Sequence, residues 1–105
     1  MSLYYIATDY IEDNGLPKVG LMRIRVAETG PDSDPYVAFA SKELGERYLR
    51  SQSIDGSCRL LSHKELIDQG HIVDKNKGTV VFETEEQIIK SINDKTCQYL
   101  RNLVQ

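Results

Sequence analysis

Most residue types that mark a particular chemistry are scarce in this sequence. There is no tryptophan, and 105 residues hold only two cysteines, two histidines and three prolines. Cys58 and Cys97, with no secretion signal ahead of them, are expected as reduced thiols rather than a disulfide framework. No apolar run is long enough to cross a bilayer, so no membrane partner is expected. The N-terminus lacks a basic segment followed by an apolar one, so no secretory leader is read there and a cytoplasmic protein is expected. Basic residues number 13 against 16 acidic ones, a net charge of −3, and nucleic-acid binding through bulk charge is therefore not expected. Phosphate loops of the G-x-G-x-x-G and G-x-x-x-x-G-K-[ST] kinds are absent, as is the G-x-S-x-G elbow. No cofactor is expected.

What is present suffices for one small globular domain over residues 1–105, since 40% of the residues are hydrophobic and 28% charged. The organising stretch runs from Pro35 to Arg50. Tyr36 to Ala40 is an apolar run without charge, which suits a central strand covered on both faces. Ser41 is placed to cap the helix that follows, in which Leu44, Tyr48 and Leu49 share a side. Glu43–Arg47 and Glu46–Arg50 are spaced as i,i+4 ion pairs. Gly45 is a poor helix former on the inner side, and its expected purpose is close helix–sheet approach.

Ahead of this stretch, Leu3–Ile11 and Val19–Val26 read as strands of a hairpin around Glu12-Asp13-Asn14-Gly15. The second strand alternates, with Met22, Ile24 and Val26 on one side and Leu21, Arg23 and Arg25 on the other. Residues 27–34 form a turn-rich acidic loop without the calcium-loop pattern. Beyond the stretch, Cys58-Arg59-Leu60-Leu61 is a short strand. Ser62-His63-Lys64-Glu65 is a capping box opening a helix that Gly70 ends. His71–Asp74 and Thr79–Glu83 read as a second hairpin, and Thr84-Glu85-Glu86-Gln87 as a second capping box. The last helix is expected to run towards Leu103 with Ile88, Ile89, Ile92, Thr96, Tyr99, Leu100 and Leu103 in one arc, and Asn93-Asp94 as its weak point.

The order β-β-β-α-β-α-β-β-α implies an α+β fold: a single mixed, largely antiparallel sheet with helices packed on one face. The core is expected from Ile6, Met22, Ile24, Val37, Phe39, Leu44, Tyr48, Leu60, Leu66, Val81, Ile88, Ile92, Tyr99 and Leu103.

The candidate sites are few. With Tyr4 near Val26, the outer face of the first hairpin would carry Tyr5, Ala7 and Asp9 beside Arg25, Arg23 and Leu21. Tyr5, Arg23 and Arg25 could then hold a partner or a small anionic ligand, against the plainer reading of a solvated face with a cross-strand Arg–Asp pair. Cys58 and His63 are the pair an enzyme would need, a thiol and a base, yet they carry no surrounding signature. His63, His71, Asp68 and Asp74 lack metal-site spacing, so no metal is expected. Arg23, Arg25, Arg47 and Arg50 are the weak alternative, a nucleic-acid strip.

The expected function is a binding or assembly module without catalytic motifs. A homodimer through the first hairpin is its simplest form. The first strand has Asp9 as its one charge and carries Tyr4, Tyr5 and Tyr10, so at a sheet edge it would invite a second copy in a symmetric contact.

Overall fold

The computed structural model describes residues 3–24, 34–52, 58–70, 78–94, 96 and 98–104. In chain order the elements are β1 (Tyr4–Ile11), β2 (Pro17–Leu21), β3 (Tyr36–Phe39), α1 (Lys42–Ser51), β4 (Cys58–Ser62), α2 (His63–Asp68), β5 (Thr79–Phe82), α3 (Glu85–Asn93) and α4 (Gln98–Leu103). The five strands form a single mixed sheet, with the helices packed against it. The expected strand at His71–Asp74 lies outside the described residues.

β1 is paired on both sides. β4 runs antiparallel along one side, from Tyr4 opposite Ser62 to Thr8 opposite Cys58. On the other side β3 takes the N-terminal end, with Tyr4 opposite Phe39 and Tyr5 opposite Ala38. β2 takes the C-terminal end, from Ala7 opposite Leu21 to Ile11 opposite Pro17. Between them the Met22 amide donates to the Ile6 carbonyl at 2.8 Å, and the Met22 carbonyl accepts from the Val37 amide at 3.4 Å. Tyr4, expected near Val26, has Phe39 and Ser62 as its partners, and Val26 lies outside the described residues. A short turn fixes the hairpin register, the chain leaves β1 after Leu21, and Arg23 meets Tyr36 in an isolated bridge.

β3 continues the sheet by pairing in parallel with β5, from Tyr36 opposite Thr79 to Phe39 opposite Phe82. All four β3 residues are buried, as an uncharged apolar strand between two layers must be. Alternation sends Val37 and Phe39 to one face and Tyr36 and Ala38 to the other. On the first face, Ile6, Val37, Phe39, Val80 and Phe82 pack with Tyr48 of α1, Ile88 of α3 and Leu100 of α4. Phe39 lies 5.4 Å from Tyr48 and 5.7 Å from Phe82 between ring centroids, within the range of favourable aromatic pairs. On the second face, Tyr5, Ala7, Tyr36, Ala38 and Leu61 pack with Leu66 of α2. α1, α3 and α4 thus share one face, while the short α2 lies over part of the other.

Local signals set the helix starts. The Ser41 hydroxyl accepts from the Leu44 amide, and both capping boxes, Ser62 with Glu65 and Thr84 with Gln87, are complete. Arg47 reaches beyond its own helix. It bonds Glu85 of α3 at 2.7 Å and so ties two helices together at the surface.

The last helix departs from expectation. Asp94 takes extended backbone and ends α3. Its carboxylate accepts from the Tyr99 amide at 2.7 Å, the Thr96 hydroxyl at 2.7 Å and the Thr96 amide at 3.0 Å, which starts a new helix, α4. The apolar arc is broken at that point. Ile92, expected in the core, is 46% exposed, and burial passes to Ile88 before the break and Leu100 after it.

Candidate functional site

The first hairpin ends in a tight loop. The Gly15 amide donates to the Glu12 carbonyl at 2.8 Å, and the Glu12 amide donates to the Leu16 carbonyl at 3.0 Å. Asn14 Oδ1 accepts from the Leu16 amide at 3.0 Å, and Gly15 has φ of 80°. This is the geometry of a loop whose last residue is left-handed, a position that glycine fills without strain. Three apolar residues flanking the loop are exposed. Ile11 is 73% exposed, Leu16 is 59% exposed, and Pro17, opposite Ile11, is also exposed. Glu12, Asp13 and Asn14 continue from Ile11 around a depression at the tip.

The rest of the hairpin is not built as expected. β1 is internal, because β4 and the β3–β2 pair saturate its two sides over Tyr4–Thr8. The expectation of β1 as an edge strand fails on that pairing. The edge of the hairpin is β2: among the described residues no strand pairs with its outer side. Pro17 stands at its first position, where a missing N–H costs least.

Tyr5 and Arg23 do lie towards the same face, but they make no open platform. Tyr5 is 4% exposed beneath α2, and its ring lies 6.1 Å from that of His63. Burial raises the Tyr5 hydroxyl above the ordinary tyrosine range, and the nearby Tyr36 hydroxyl adds to the shift. Arg23 is exposed beside Tyr36, and Arg25 lies outside the described residues. The cross-strand Arg–Asp pair on this face is formed by Arg59 and Asp9, at 3.2 Å.

β4 separates the two residues an enzyme would need. Cys58 is at its first position, where Sγ meets Thr8 Oγ1 at 3.3 Å and the side chain packs against the first-face core. His63 follows its last residue and lies by Tyr5 on the second face. Strand rise alone puts roughly 16 Å between them. His63 and Asp68 stand at opposite ends of α2, while His71, Asp74 and Cys97 lie outside the described residues. The arginines do not form one strip either. Arg47 is engaged with Glu85 and Arg50 is on α1, whereas Arg23 belongs with Tyr36 on the second face.

Comparisons with protein-family models, with curated proteins and with solved structures return no match. No helix among the described residues is long and apolar enough to cross a membrane. The residues that sequence reasoning passed over are Ile11 and Leu16. Their signal was available: two aliphatic residues immediately flank a four-residue turn of polar residues and glycine, where burial by the hairpin itself is impossible.

Proposed function

We propose that the chain is a small binding and assembly module that engages its partner through the first hairpin, with a second copy of the chain as the simplest partner. The observation that carries this reading is the exposed apolar tip of Ile11, Leu16 and Pro17. Single exposed aliphatic residues are ordinary on any surface, but three flanking one hydrogen-bonded loop offer a small interaction surface. The open side of β2 supports the same contact, because an edge strand offers unpaired backbone groups to a second strand. The contact is therefore assigned to β2 and the tip rather than to the tyrosines of β1. Tyr5 contributes to folding, and an anionic ligand loses the flat aromatic surface it would have needed.

The test is the double variant Ile11→Lys, Leu16→Glu, compared with wild type by sedimentation velocity. Both positions are exposed, so stability should change by no more than about 0.5 kcal/mol for each. The variant should sediment as a monomer at concentrations where wild type is a dimer. A variant that associates as wild type does places the contact elsewhere.

A further inference from the structure

We infer that Asn14–Gly15 is a site of spontaneous deamidation, a covalent change that adds a negative charge to a hairpin tip already carrying Glu12 and Asp13. Both residues are exposed, and a Cβ built on Gly15 would meet nothing within 4 Å. Gly15 thus has no side chain to crowd its backbone nitrogen, whose N–H donates to the Glu12 carbonyl at 2.8 Å. In the reaction this nitrogen attacks Asn14 Cγ and gives up its proton to solvent. The C–N bond of the side-chain amide breaks, ammonia leaves, and a five-membered cyclic imide remains. Water then opens either of the two imide C–N bonds. One opening gives aspartate, and the other gives isoaspartate, in which the main chain runs through Cβ. The balance is asparagine plus water to aspartate or isoaspartate plus ammonia.

Position singles out Asn14 among the described asparagines. Asn93 precedes Asp94 and Asn102 precedes Leu103, so each has a side chain on the residue that must attack. Both also lie in helices, whose regular backbone keeps the following amide away from the side-chain carbon. At the tip, two hydrogen bonds must open first: Gly15 amide to Glu12 carbonyl, and Leu16 amide to Asn14 Oδ1. Neither involves a residue of the two core clusters, so opening is local and does not require unfolding of the sheet. The isoaspartate product lengthens the backbone inside a loop whose length sets the hairpin register, and loosens the closure between Glu12 and Leu16.

The experiment is peptide mapping of the folded full chain during prolonged incubation in mildly alkaline buffer at physiological temperature. The peptide containing Asn14 should gain the mass of an NH2-to-OH exchange and split into aspartate and isoaspartate forms. Peptides containing Asn93 and Asn102 should stay unchanged, and an Asn14→Gln variant should show no gain at the tip. The proposal is overturned if the Asn14 peptide from the folded chain stays intact while a synthetic peptide of residues 10–18 converts in the same buffer. It is equally overturned if Asn93 or Asn102 converts as fast as Asn14.

Discussion

Gly45 of α1 sits directly against Leu60 of β4: a methyl group at Gly45 would stand 2.6 Å from Leu60 Cδ2 and 2.8 Å from Cδ1. Leu60 must turn aside to admit it, and Cγ at 3.2 Å limits how far it can. Alanine would improve helix propensity by about 1 kcal/mol, whereas overpacking typically costs about 1–3 kcal/mol. Gly45→Ala should therefore lose about 1 kcal/mol on balance, read from the midpoint of chemical denaturation. A variant more stable than wild type contradicts this close approach of helix and sheet.

Phe39 is fully buried and forms a triangle of rings with Tyr48 and Phe82, which are themselves 6.0 Å apart. Phe39→Ala should cost about 3–5 kcal/mol, because removing a buried aromatic ring leaves a large cavity. Equilibrium denaturation measures it, and an unchanged midpoint would remove Phe39 from the centre of the core.

Asp94 makes stability depend on acid pH. Hydrogen bonds from the Tyr99 amide, then from the hydroxyl and amide of Thr96, hold its carboxyl below the ordinary aspartate range. Between the lowered folded value and the ordinary unfolded one, the unfolded chain binds more protons, so stability rises with pH there. The contribution is fully present above the ordinary aspartate value and is lost as pH falls through the folded one. Asp94→Asn should flatten the pH dependence of the denaturation midpoint across that acid window. An identical slope in wild type and variant would show that the junction of α3 and α4 does not depend on the carboxylate.

Much of this fold is written in local patterns. The uncharged run of Tyr36–Phe39, the cap at Ser41, the two capping boxes and Gly45 each report a short-range requirement, and each appears where its residues place it. What local patterns do not carry is which strands become neighbours. The alternation of β1 gives its two faces, and Tyr5 does share a face with Leu21, but alternation says nothing of β4, which closes the far side of β1 from fifty or more residues away. The second core followed from the same gap. The expectation of all helices on one face leaves Tyr5 free for binding, whereas Leu66 of α2 and Leu61 pack in its cluster on the other face. At Asp94 the weak point was legible, but not that the helix stops there and restarts as α4, with Ile92 exposed at the end of α3.

Cys58 offers a chemical check on its separation from His63. It is half-buried, and its Sγ rests on Thr8 Oγ1. Alkylation of the folded chain by a small neutral reagent at neutral pH, followed by peptide mapping, should label Cys58 slowly and denaturant should release it. Rapid labelling in the folded state contradicts this and would reopen an enzymatic reading.

The assembly reading stands or falls with the wild-type chain in solution. Sedimentation equilibrium across a concentration series reaching high micromolar tests it most directly, because self-association must follow mass action. The expected result is a mass that rises from one chain to two along the series and returns to one in the Ile11→Lys, Leu16→Glu variant. A wild-type mass of one chain at every concentration contradicts the homodimer.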